Sequence, residues 1–397
     1  MFNKLTISVD KLDYKLSPWC MVLGCKMELE KCLTSLWVLD VFILWALLSF
    51  SVVVSSKSQQ VPALFIFGDS LSDDGNNNYL SSLARSNFPP YGIDFPFGPT
   101  GRFCNGRTVV DYIGQFLGLP FVPAYLAPST KGKKVMEGVN YASAAAGILD
   151  DTGRNYGGRI SFNGQISSFQ NTLQVVSRRL GSPEAVSQFL SKSIFALSLG
   201  SNDYINNYLL PQFFTTSRQY SPQTFADLLI SEYSKQLQGL YKLGARKFLV
   251  STVGPLGCIP QQLAMTNSNG HCVESINKLI EPFNDGLLSL INQLNNNLTG
   301  SHFVYQNTYT AVLDMINNPT EYGFRVVNQG CCGVGRYNAQ ITCILFIQPC
   351  ANRNQYVFWD AFHPTEAVNL ILANKAFNGS PLDVYPINLT TLMQLHL

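Results

Sequence analysis

Short, almost unbroken apolar runs alternate along the chain with longer stretches in which apolar side chains return at helical spacing. The runs cover residues 63–67, 138–143, 193–199, 247–252 and 302–306. A strand covered on both faces meets water on neither, so it reads as a continuous apolar run and not as an alternation. These five segments are therefore predicted strands, and 225–243 and 273–294 are predicted amphipathic helices. Strand–helix alternation predicts an α/β fold with a central parallel sheet of about five strands. In such sheets the functional groups gather at the carboxyl ends of the strands.

One apolar run stands outside this alternation. Residues 36–54 are nearly all apolar, broken by Asp40 and followed by Ser55, Ser56, Lys57 and Ser58. Lys26 and Lys31 lie upstream. A basic region, an apolar core and small residues after it describe a secretory signal peptide. The run approaches the ~20 residues that span a bilayer, so a signal anchor is the alternative. Asp40 and the serines weaken a stable span and favour secretion. Met27 is a more ordinary start than Met1. The predicted organisation is an N-terminal extension with signal peptide over 1–58 and a single domain over 59–397, without a stable membrane span in the mature chain. The mature chain is expected to begin between Ser55 and Val61.

Composition narrows the function classes. Of 397 residues, 46% are apolar and only 13% charged, which is enough apolar material for a large core. The net charge of +2 gives no basic face of the kind nucleic acid requires. Seven cysteines follow residue 58, with no Cys-x-x-Cys pair and no zinc-like spacing. Cys258, Cys272, Cys331, Cys332, Cys343 and Cys350 cluster towards the C terminus, where disulfides would staple loops. The simplest pairing joins Cys258 to Cys272 and sends Cys331 and Cys332 to Cys343 and Cys350; spacing leaves the connectivity open. Cys104 is the odd one. Sequons at Asn297, Asn378 and Asn388 suit a secreted, glycosylated chain.

Three predicted strands end in loops with chemical potential. The first runs into Gly68-Asp69-Ser70, the second into Ala144-Ala145-Ala146-Gly147, and the third into Gly200-Ser201-Asn202-Asp203. Far downstream comes Asp360-Ala361-Phe362-His363-Pro364. Taken separately, each has a plainer reading. Ser70 would be a helix cap, the alanines close packing, Asn202 a loop-capping amide, and Asp360 and His363 part of a helix entry. Together they supply a hydroxyl, a base and a carboxylate to orient the base, which acyl transfer through a covalent intermediate requires. Ser70 N–H, the alanine turn and the Asn202 amide would offer oxyanion donors. Pro364 suits the first position of a following helix, and Glu366 its first turn. Asp69, Asp73 and Asp74 lack a histidine partner and calcium-loop spacing, so they and Asn76–Asn78 are read as loop-shaping groups, not metal ligands. Tyr204, Tyr208, Phe213 and Phe214 are open to two readings, an apolar wall for an acyl group or ordinary core.

In order, these segments resemble the GDSL esterase/lipase family, a branch of the SGNH hydrolases, in its plant form. The matching blocks are Phe67-Gly-Asp-Ser-Leu-Ser-Asp73, Asn140-Tyr-Ala-Ser-Ala-Ala-Ala-Gly147, Gly200-Ser-Asn-Asp203 and Phe358-Trp-Asp-Ala-Phe-His-Pro-Thr365. Gly101-Arg-Phe-Cys-Asn-Gly-Arg107 and Gly254-Pro-Leu-Gly-Cys-Ile-Pro260 also look like plant members. The resemblance implies a flavodoxin-like three-layer α/β/α fold, secretion and no cofactor. It assigns Ser70 as nucleophile, His363 as base and Asp360 as its orienter, with Asn202 and the second block as oxyanion donors. Here the family's second-block glycine is replaced by Ala145, while Gly147 lies two positions on. The implied activity is hydrolysis of a small-molecule carboxylic or lipid ester. An acyltransferase using the same intermediate and a catalytically silent binding protein are the alternatives, and the four intact site residues argue against the latter.

Overall fold

The computed structural model describes residues 61–395 apart from Asn267, so the predicted signal peptide and the expected mature start before Val61 lie outside the described residues. Strands form at all five predicted runs: β1 (Leu64–Gly68), β2 (Gly138–Asn140), β3 (Ile194–Ser198), β4 (Lys247–Ser251) and β5 (His302–Gln306). They pair in parallel in the order β2-β1-β3-β4-β5, the flavodoxin-like arrangement. A sixth, antiparallel strand, β6 (Val384–Tyr385), adds to the β5 edge. It was not among the expected five because two residues carry no readable periodicity.

Helices cover both faces. Phe65, Phe67, Phe195, Leu197, Phe248, Val250 and Phe303 point to one face, where they pack in a single cluster with apolar residues of α2 (Phe162–Leu180), α3 (Pro222–Lys242) and α4 (Glu274–Asn297). The alternate residues Leu64, Ile66, Ile194, Ala196, Leu249 and Val304 form a second cluster with α1 (Val109–Phe116) and α5 (Glu366–Asn378). Successive strand side chains point to opposite faces, so both sets are apolar only because both faces are buried. The result is the expected three-layer α/β/α architecture. Among the described residues, no helix is long and apolar enough to cross a membrane.

Two details of the edges matter for the site. β2 is shorter than the predicted 138–143, and the chain leaves it for the alanine turn while Tyr141 and Ser143 N–H still donate to Ile66 and Gly68 carbonyls. Pro364 does not begin α5 as expected. Thr365 is the N-cap and Glu366 the first helical residue. Pro364 instead bridges back to Phe358, and Trp359 N–H donates to the His363 carbonyl, closing a tight turn over Asp360–His363.

Candidate active site

The end of β1 is held from both sides. Gln165 of α2 exchanges two buried hydrogen bonds with Gly68, its Nε2 donating to the Gly68 carbonyl and its Oε1 accepting from the Gly68 N–H. A Cβ on Gly68 would come to 3.0 Å from the Ser198 carbonyl and 3.1 Å from Ser72 Cβ, so a side chain here would force those neighbours to give way. Ser72 and Asp73 N–H both return to the Asp69 carbonyl, winding a single tight turn with Ser70 at its crest. Ser70 therefore lies on a turn and is not a helix cap.

This first block also builds the second. Asp73 accepts from the N–H groups of Gly75, Asn76 and Ala144, and burial pushes its carboxyl up to about 6 against those bonds. Asn76 Nδ2 donates to the carbonyls of Asn140 and Ala142, and Asn77 Nδ2 to that of Ala144. Asp74 instead pairs with buried Arg102 at 3.4 Å.

Across the rim, the turn after Phe358 meets Ser70. His363 Nε2 is 2.8 Å from Ser70 Oγ, and His363 Nδ1 is 2.9 Å from each Asp360 carboxylate oxygen. The Phe362 and His363 N–H groups donate to Asp360 Oδ1 at 2.8 Å. Tyr91 Oη donates to Asp360 Oδ2 at 2.7 Å. Burial of Asp360 favours its neutral form, but the nearby His363, its hydrogen bond and those of Tyr91 and Phe362 outweigh it and leave the carboxyl below its ordinary value. Burial, and then the charge of Asp360, holds the Tyr91 phenol well above its ordinary value, so it remains a donor. The Phe103 ring lies 5.1 Å from the His363 ring and limits its movement.

Sequence reasoning missed Tyr91, which reaches Asp360 across 269 positions. It also missed what holds the Asp360 segment from behind. Cys331 and Cys332 N–H donate to the Phe358 and Trp359 carbonyls. Both cysteines are tied down, Cys331 to Cys350 and Cys332 to Cys343, with Cys258 joined to Cys272. Cys104 is buried and bonded to none of the described cysteines.

The oxyanion candidates occupy different environments. Asn202 Nδ2 gives one hydrogen to the Ala146 carbonyl at 2.9 Å, and Asn206 Nδ2 donates to Asn202 Oδ1 at 2.5 Å, which fixes the amide's orientation. Among the described residues the second Asn202 amide hydrogen has no acceptor. Ala145 sits at φ 67°, in the left-handed region that favours glycine. Among the described residues, the N–H groups of Ser70 and Ala145 make no hydrogen bond. Gly147 is turned elsewhere: a Cβ there would lie 2.6 Å from both Asp203 carboxylate oxygens. Asp203 accepts from Ile148 and Leu149 N–H and from Thr152 Oγ1, and burial pushes it up to about 6.

Ser70, His363, Ala145 and Asn202 line one cavity of about 350 Å³, and Gly147 does not. Next to Asn202 the apolar wall is Ile205. Tyr204, Tyr208 and Phe214 are buried in the core instead, with Tyr208 stacked on Phe225 at 4.8 Å, and Phe213 is exposed.

Comparison with known proteins gives the same blocks a family. Residues 64–376 match the family model for GDSL-like lipase/acylhydrolase. The chain belongs to this family. It is 55% identical to GDSL esterase/lipase 7 of Arabidopsis thaliana over 337 residues, 84% of this chain and 92% of the relative. A second GDSL esterase/lipase of that plant is 52% identical over 364 residues, 89% of this chain and 94% of the relative. A third is 51% identical over 338 residues. The GDSL match spans every strand of the parallel sheet and both ends of the candidate site.

Proposed function

We propose that this GDSL family member is a secreted hydrolase of carboxylic esters that works through an acyl-enzyme on Ser70. The observation that carries the reading is the unbroken series from Ser70 Oγ through His363 to buried Asp360, at 2.8 and 2.9 Å. Relatives named as esterases or lipases at about half identity support the chemistry.

In this reading, neutral His363 accepts the Ser70 hydroxyl proton at Nε2 as Oγ attacks the ester carbonyl. Asp360 accepts from His363 Nδ1–H, holds that tautomer and stabilises the imidazolium. The negative oxygen of the tetrahedral intermediate is met by Ser70 N–H, Ala145 N–H and the spare Asn202 amide hydrogen. Losing one such donor typically costs about 10²–10³ in rate. A backbone N–H is present in alanine as in glycine, so the replacement at Ala145 keeps the donor. His363 then protonates the departing alkoxide. Water, deprotonated by the same imidazole, releases the acid and restores Ser70.

Secretion is proposed from the apolar segment 36–54 and from three disulfides, which belong to an oxidising compartment. Asn297 and Asn378 are exposed, as glycan acceptors must be. Asn388 is half-buried and caps a short helix by accepting from Thr391 N–H. The test is hydrolysis of nitrophenyl esters by the secreted chain, with Ser70→Ala as control. Equal turnover by a folded Ser70→Ala protein would refute the reading.

A further inference from the structure

We infer that the rim of the cavity mouth is a docking surface for a lipid layer with anionic headgroups. Among the described residues, the two most exposed large apolar side chains are Phe346, 97% exposed, and Leu83, 82% exposed. Both stand at this mouth. Leu83 lines the cavity itself, and Ile344, two residues before Phe346, lines it from a second loop. Ile344 and Leu345 are 45% and 48% exposed, so three consecutive apolar side chains face water beside Leu83. Exposed apolar residues scattered singly are ordinary, whereas a contiguous patch marks contact with a partner or a lipid.

The patch has a fixed base. Residues 344–349 lie between Cys343 and Cys350, which are bonded to Cys332 and Cys331. Ile347 of this loop and Ala84 and Phe88 of the other pack against one buried cluster that includes Tyr91, Phe103 and Trp359. Phe346 itself sits at φ 68°, in the left-handed region that disfavours a side chain. In the free protein this ring is neither relaxed in its backbone nor buried, and an apolar partner would offset both. Charge selects that partner. Residues 75–93 and 331–359, which supply the two loops, contain no aspartate or glutamate. Arg85 lines the mouth, and Arg336 belongs to the second segment. Their guanidinium groups donate to the Leu80 and Leu263 carbonyls and so keep their full positive charge. Apolar side chains among arginines, with no acid between them, match a layer that is apolar inside and negative at its headgroups. A second copy of this chain would bring the same arginines face to face, which argues against a self-dimer through this surface. Docking here would set the cavity mouth against the lipid. The inference goes beyond the ester-hydrolase reading and does not depend on it.

The test is sedimentation of the secreted Ser70→Ala protein with vesicles of phosphatidylcholine alone, or of equal parts phosphatidylcholine and phosphatidylglycerol. Binding is read apart from turnover, so failure of the ester-hydrolase reading leaves this test standing. Binding should be roughly tenfold tighter to the mixed vesicles. Phe346→Ser and Leu83→Ser should each weaken it roughly tenfold. Both positions are exposed, so neither change removes core packing. A second measurement reads orientation. Trp359 is the only tryptophan among the described residues and is fully buried. Phe346→Trp therefore adds one exposed reporter, whose emission should shift to the blue on mixed vesicles and be quenched by brominated lipid. Leu382→Trp, also exposed but outside the cavity lining, should show neither effect. No binding to mixed vesicles, equal binding to both kinds, or a folded Phe346→Ser that binds like its parent overturns the docking surface. So does quenching of Leu382→Trp in place of Phe346→Trp, or dimerisation through this face without vesicle binding.

Discussion

The Tyr91 hydroxyl donates to Asp360 Oδ2 at 2.7 Å, so the carboxylate that faces His363 is shared with a buried phenol. Tyr91 is itself packed edge-on against Phe88, Phe103 and Trp359. The phenol draws charge away from the side of Asp360 that an imidazolium would feel.

Tyr91→Phe keeps the packing and removes that bond. Hydrogen bonds to charged groups contribute about 1.5–3 kcal/mol. Asp360 would then face His363 with more of its charge, favouring the imidazolium. The acid limb of the kcat/KM profile should move to higher pH, with KM little changed. A profile superimposable on wild type would show that Tyr91 is only packing.

Ala145 and Gly147 should respond in opposite directions. The left-handed backbone of Ala145 costs its Cβ about 1–2 kcal/mol. Ala145→Gly relieves that but makes the unfolded chain freer, by about 0.4–1 kcal/mol. The net effect should be a gain of up to about 1.6 kcal/mol with activity retained, because the N–H is unchanged. Gly147→Ala would press a Cβ to 2.5 Å from Thr152 Cγ2 and against the Asp203 carboxylate, and should lose about 1–3 kcal/mol. Denaturant midpoints measure both.

Much of this was legible beforehand, and the reasons differ by element. β1, β3, β4 and β5 are apolar on both faces, so their runs announce themselves without reference to partners. Ser70 and Asn202 are legible because strand ends in a parallel sheet converge, and Asp360 and His363 because a carboxylate three residues before a histidine completes the set a serine needs; the structure brings all four to one cavity. The Tyr91–Asp360 bond depends on tertiary contact alone. Pro364 misled because its restricted backbone suits a turn as well as a helix start, and a bridge to Phe358 decides between them. The aromatic residues after Asn202 left core and cavity wall equally open, since periodicity does not distinguish two apolar surroundings.

Asp69 gives stability a pH dependence. Burial raises its carboxyl to about 7, against the Leu71 N–H and His363, with Asp203 adding to the rise. Its Oδ2 has no hydrogen-bond partner among the described residues. The unfolded group titrates near ~3.9. Between these values the native state holds a proton that the unfolded chain has released. Stability is therefore greatest below that window and falls as pH rises through it, by up to roughly 1.4 kcal/mol per unit. Asp73 and Asp203, both raised to about 6, act in the same sense. Urea midpoints should be higher at about pH 5 than at about pH 7.5, and Asp69→Asn should reduce the difference. A midpoint that rises with pH over this interval would contradict the assignment.

The twin cysteines link the oxidised state to the site. Cys332 is bonded to Cys343 and hydrogen-bonded to the Trp359 carbonyl, one residue before Asp360. Cys332→Ser with Cys343→Ser should cost about 2–4 kcal/mol of stability. Because it loosens the Asp360 segment, it should also lower kcat in the protein that remains folded. Full kcat after loss of this disulfide would show that the Cys331 and Cys332 N–H bonds hold the Asp360 segment unaided.

The central claim is that Ser70 carries the acyl group, and chemical trapping tests it most directly. The secreted chain is treated with a fluorophosphonate, digested, and the peptide containing residues 68–73 is analysed by mass spectrometry. The account predicts one adduct per chain, on Ser70, formed in step with the loss of ester hydrolysis and strongly slowed in His363→Ala. An adduct on another residue that tracks the loss of activity, or full inhibition with Ser70 unmodified, would contradict it.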